Sequence, residues 1–109
     1  MLYYILDQIK LKPGKLQMFL DRFNQQYVGA AEKRGQKLVG SWTDPAFELE
    51  DRPTEVFVLW SVEDSTVHYS MRRMAGQDPT VAQWWKECED YQVTRARHVM
   101  TPTPFSPMR

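Results

Sequence analysis

The sequence predicts an α+β domain built in the order strand, helix, strand, strand, broken helix, strand. Three observations predict it. Short β-branched and aromatic runs alternate with stretches whose apolar residues recur at helical spacing. Glycine and proline punctuate the junctions. The whole chain is 109 residues, the size of one domain, so 1–109 is read as a single unit.

Residues 2 to 11 are mostly aliphatic or aromatic and stop at Lys12-Pro13-Gly14, which reads as a strand and its turn. Leu16, Phe19, Leu20, Phe23 and Tyr27 then repeat with helical period, and Lys33-Arg34-Gly35 supplies a basic last turn and a glycine stop. Lys37–Thr43 is the second strand, and the polar run from Asp44 to Pro53 is a loop. Glu55–Val62 is apolar on both faces and reads as a central strand. Asp64-Ser65 caps a helix carrying Val67, Met71 and Met74; Gly76-Gln77-Asp78-Pro79 interrupts it, and Pro79 restarts it. Val93 to Met100 is the last strand, followed by a tail in which Pro102, Pro104 and Pro107 forbid regular structure.

A β-α-β-β-α-β order is the ferredoxin-like split motif, a four-stranded antiparallel sheet with both helices on one face. The other face should be polar in a lone copy, yet the third strand offers apolar groups to both sides. A second copy of the same sheet is the simplest cover, so a homodimer is expected. Fourteen basic residues balance fourteen acidic ones, which argues against nucleic acid as a partner. No run approaches the ~20 apolar residues of a membrane helix, and no basic leader precedes the first strand; a cytoplasmic location is the expectation. Cys88 is the single cysteine and reads as a small buried hydrophobe.

Three stretches resemble the NIPSNAP family of the dimeric α/β-barrel superfamily. They are the opening strand running into Leu11-Lys12-Pro13-Gly14-Lys15, then Leu38–Thr43 followed by Val56–Trp60 and Arg72-Arg73, and finally Pro102-Thr103-Pro104-Phe105-Ser106-Pro107. The resemblance spans essentially the whole chain, and the tail is its most specific piece. It implies two ferredoxin-like protomers packed sheet against sheet, each with a pocket between sheet and helices. The superfamily includes cofactor-free monooxygenases, haem-degrading enzymes and polyketide cyclases. The chain departs from the family pattern at two positions: Asp7 stands where members often carry an Arg, and Val58 where they often carry a His.

Asp7 shares a strand face with Tyr3, Ile5 and Ile9. Desolvation there would raise its pKa and suit it to acid–base work; the alternative is a structural ion pair with Arg95 or Arg97. On the last strand His98 alternates with Thr94, Ala96 and Met100, opposite Arg95, Arg97 and Val99. One set looks inward, offering either a proton carrier in His98 or an anion contact in Arg97. Trp42 and Trp60 lie on neighbouring strands, as an aromatic clamp for a flat ligand or as core. His68, on a helix beside Arg72, reads as a surface residue, and two isolated histidines without acidic companions argue against a metal site.

The leading expectation is a small, cofactor-independent enzyme acting by acid–base chemistry on an apolar, aromatic or polyketide-like molecule. Asp7 and His98 would carry protons, and Tyr3, Trp42, Val58, Trp60 and Arg97 would contact the ligand. The alternative is a non-enzymatic binding or interaction dimer. A haem protein would need His98 or His68 in the pocket.

Overall fold

Pro13 and Gly14 end the first strand by different means: the proline lacks a donor, and Gly14 takes a φ of 78°, which residues with a Cβ avoid. The computed structural model describes residues 2–63, 73–74, 77, 79–90 and 92–108. The segment expected to carry Val67, His68, Met71 and Arg72 on a helix lies outside them. The described elements are β1 (Tyr3–Leu11), α1 (Leu16–Arg22), a π-helical turn (Phe23–Tyr27), α2 (Val28–Lys33), β2 (Lys37–Asp44), β3 (Thr54–Val62), α3 (Pro79–Cys88) and β4 (Gln92–Met100). They form one sheet in the order β2-β3-β1-β4, every neighbour antiparallel. This is the expected ferredoxin-like architecture.

The π-helical turn was not legible in the periodicity. It keeps Phe19, Phe23 and Tyr27 in one buried column, with ring centroids 5.4 and 5.0 Å apart. The α1 start has no side-chain cap of its own; Glu48, far along the β2–β3 loop, accepts from the Leu16 N–H at 3.3 Å instead. At the other end Gly35, with φ of 106°, closes α2: its N–H and that of Gln36 bond to the carbonyls of Glu32 and Ala31. That pair of bonds is a Schellman motif.

The two faces of the sheet are distinct. Ile5, Asp7, Ile9 and Leu11 of β1 face the helices beside Val56, Val58, Trp60 and Val62 of β3, and all are buried. They pack under Phe19, Phe23, Tyr27, Ala31, Trp84 and Cys88, which together form the core. The helix-free face carries Tyr4, Leu6 and Gln8 of β1 beside Phe57 and Leu59 of β3. Leu6, Phe57 and Leu59 there are only half-buried. The molecule is accordingly a slab, 42 × 37 × 20 Å, two layers thick.

One irregularity redirects β2. Leu38 pairs with Trp60, but Gly40 pairs with Leu59, so Val39 is an extra residue in the ladder. A one-residue bulge exchanges the faces of everything beyond it. Ser41 and Thr43, opposite Val58 and Val56, therefore turn to the helix side. Trp42, opposite Phe57, turns to the helix-free side and is 56% exposed. Its indole lies over Gly40, where an added Cβ would come within 2.6 Å of the ring.

Candidate functional site

The helix face holds an ion pair at its centre. Asp7 sits opposite Val58 on one side and Arg97 on the other. Its carboxylate is 2% exposed as a residue and accepts three hydrogen bonds. The Trp60 indole donates to Oδ2 at 3.0 Å. Arg97 donates from Nε to Oδ1 at 2.7 Å and from Nη2 to Oδ2 at 3.0 Å, a bidentate fork. Three of roughly four acceptor sites on the carboxylate are thus taken. Burial by itself lowers the pKa of Arg97, but the hydrogen bonds and charge of Asp7, helped by the Tyr27 phenol, outweigh it and raise the value above that of an ordinary arginine.

Around this pair the helix side is aromatic. Tyr27 meets Trp60 at 6.1 Å and Trp85 at 5.4 Å between centroids, both edge-on. Arg95, two residues before Arg97 and on the same face, lays its guanidinium 3.7 Å from the centre of the Trp85 ring. Arg34 covers the Tyr27 ring at 5.7 Å. It is 6% exposed, and its Nε and Nη1 have no hydrogen-bond partner among the described residues. Arg97 is the member of this set with an ionic partner inside and access to solvent outside, its side chain being 37% exposed.

The structure settles which face of the last strand looks toward the helices: that of Arg95, Arg97 and Val99. His98 pairs with Leu6 on the helix-free face, is exposed, and lies 3.3 Å from Oε1 of Gln8. Asp7 and His98 are therefore on opposite sides of the sheet and do not share a pocket within one chain. The Trp42–Trp60 clamp is likewise corrected: the Val39 bulge puts Trp42 on the helix-free face, while Trp60 is wholly buried on the other. Val58 is also wholly buried, packed within the core beside Asp7. Tyr3, opposite Val62 at the start of β1, keeps partial exposure on the Asp7 face.

Tyr27 and Arg34 were not singled out as site residues in the sequence. Tyr27 lies at helical spacing among core residues and Arg34 looks like a basic helix end, so nothing local distinguishes either. Among the described residues no three His, Cys, Asp or Glu side chains gather where a metal ion could be held. No helix among them is long and apolar enough to cross a membrane.

The fold and site define the class first: a ferredoxin-like α+β domain with an arginine–aspartate pair between sheet and helices. The profile of the NIPSNAP family matches residues 4–107, and the chain belongs to that family. It is 27% identical over 106 residues to protein NipSnap homolog 3A of Homo sapiens and of Pongo abelii, covering 97% of this chain and 41% of those proteins. The chain thus spans less than half the length of the curated relatives it matches. Among solved structures, a NIPSNAP family protein from Agrobacterium tumefaciens superposes with a TM-score of 0.79 at 16% identity over 100% of both chains. A NIPSNAP domain protein from Burkholderia xenovorans gives 0.76 at 20% identity over 98% of this chain and 99% of its own. SnoaB from Streptomyces nogalater, a cofactor-independent oxygenase, gives 0.57 at 12% identity over 97% of both chains.

Proposed function

We propose that this domain binds an apolar small molecule bearing a carbonyl or enolisable oxygen on its helix face, and activates it without a cofactor. The observation that carries the reading is the Asp7–Arg97 fork. Asp7 engages Nε and Nη2, which leaves Nη1 outside the fork, on a side chain with solvent access. A guanidinium oriented in this way, beside Tyr27 and in partly desolvated surroundings, suits an oxygen on which negative charge develops. Asp7, with most of its acceptor sites taken, serves as the positioning residue for Arg97. The fold shared with a cofactor-independent oxygenase supports the reaction class, and the substrate would be flat and largely apolar.

The pairing of two sheets belongs to the same reading. Leu6, Phe57 and Leu59 are half-buried and Trp42 is exposed on the helix-free face. A second copy covering that face would bury them at about 25 cal/mol per Å² of apolar surface. Sedimentation equilibrium at micromolar concentration should show the dimer.

The activity is tested by deuterium uptake at the α-carbon of aryl ketones in heavy water, solvent deuteroxide taking the α-proton while Arg97 stabilises the enolate oxygen and solvent returning a deuteron to carbon. The protein should accelerate exchange, Arg97→Met should remove the acceleration, and Arg97→Lys should restore only part of it, since a lysine cannot form the fork. No acceleration by the wild-type protein across a panel of aryl ketones would favour the second reading, a non-enzymatic binding or interaction dimer, which the exposed apolar side chains of the helix-free face favour.

A further inference from the structure

The proline-rich tail ends in a knob that its own chain leaves uncovered. Thr103-Pro104-Phe105-Ser106 is a β-turn, closed by the Ser106 N–H donating to the Thr103 carbonyl at 3.0 Å, with Pro104 at the second position that prolines favour. The Ser106 hydroxyl donates to the Met108 carbonyl at 2.8 Å and secures the far side. Phe105 sits at the tip of this turn and is 87% exposed. An aromatic ring held in water is unfavourable, because its apolar area is left unburied.

Beside the same turn lies a recess. Tyr4, Leu59 and Met100 of the helix-free face line it together with Pro102 and Met108 of the tail. Its volume is about 310 Å³. A cavity of about 150 Å³ already accepts a benzene ring, so a phenylalanine side chain fits. Thr103 and Ser106, the ends of the turn that carries Phe105, line the recess, while Phe105 itself does not and stays 87% exposed.

Knob and recess on one tail are what a two-fold pair requires, since each copy then supplies the group the other lacks. We propose that in the sheet-to-sheet pair the partner's Phe105 enters this recess, while Phe105 enters the equivalent recess opposite. The areas agree. Four strands about 4.8 Å apart and roughly 30 Å long have a flat footprint of about 570 Å²; the accessible surface of a face bearing side chains exceeds its footprint and so approaches the ~800 Å² per partner of a stable interface. A buried aromatic side chain adds about 150–250 Å² to it. This inference rests on the dimer proposed above.

A double-mutant cycle on the full chain, read by sedimentation, tests it. Phe105→Ala should weaken the dimer at least tenfold while leaving the circular dichroism spectrum unchanged. Thr101→Trp, at an exposed position lining the recess, should weaken it similarly by filling the space. The two together should be no worse than either alone, because the second change removes a contact already lost. Additive losses, or a Phe105→Ala dimer as tight as the wild type, would overturn the insertion while leaving the dimer intact. A wild-type protein that stays monomeric would overturn both. Oxidative crosslinking between a Phe105→Cys chain and a separate Met100→Cys chain gives an independent readout: the mixed disulfide should form, and its failure in a population shown to be dimeric counts against the insertion.

Discussion

The two faces of the sheet use the same residue types to opposite ends. On the helix face Trp60 is wholly buried, packs against Phe23 and Tyr27, and gives its N–H to Asp7. On the helix-free face Trp42 lies flat over Gly40 with more than half its surface in water. Both are tryptophans within strands, three ladder positions apart on neighbouring strands. What separates them is one extra residue in β2. The comparison shows that the buried core lies on one face, while the other leaves apolar groups half-buried or exposed.

The largest expected effect tests that division directly. Trp60→Ala should cost about 4 kcal/mol in urea unfolding, combining a large cavity with the loss of one of the three hydrogen bonds to Asp7. Trp42→Ala should change the stability of the monomer by less than about 0.5 kcal/mol. Equal costs for the two would erase the distinction between the faces.

Asp7→Leu comes next, at about 3 kcal/mol. That is the lower end for breaking a buried pair, because Arg97 can turn toward solvent. Adding Arg97→Met should recover most of the loss, since removing both charges leaves none uncompensated. The pH dependence follows from the raised pKa of Arg97. A cation whose folded value is raised contributes fully below its unfolded value, and loses that contribution only as pH rises through the folded one. Both lie beyond ordinary working conditions. The stability difference between wild type and Arg97→Met should therefore stay flat from about pH 7 to 10.

Arg34 offers a change of opposite sign. Its guanidinium is buried over Tyr27 without an ionic partner among the described residues. Arg34→Met keeps the bulk and removes the desolvated charge, and should raise stability by about 1 kcal/mol in thermal unfolding. A loss instead would mean that the cation–π contact outweighs the burial. The smallest effect belongs to His98→Ala. His98 is exposed and holds one long contact with Gln8, so stability should move by less than about 0.5 kcal/mol.

Much of this was legible along the chain. Period-two and period-3.6 patterns are local, so β1, the helical column of Phe19, Phe23 and Tyr27, and the apolar β3 could be read from neighbours in sequence. Alternation alone groups Asp7 with Ile5 and Ile9, and separately Val58 with Trp60; that the two sets share a side is what the family resemblance implied, and the register bears it out. The Gly35 stop is also local, since its Schellman bonds need only the residues around it.

Three features depended on the tertiary structure. Alternation shows that His98 and Arg97 face opposite ways but not which of them meets the helices, since that is set by strand register across β1. The face of Trp42 depends on the Val39 bulge, whose signature is the pairing with β3 and no residue in β2 itself. The joining of Tyr27, Arg34 and Arg97 around one ring brings together a helical turn, a helix end and an edge strand. Sequence by itself determined which residues alternate and which repeat, because those preferences arise in the backbone and its near neighbours. Only the assembled sheet decided which side each alternation faces, because register is a relation between strands, and a single inserted residue reverses it.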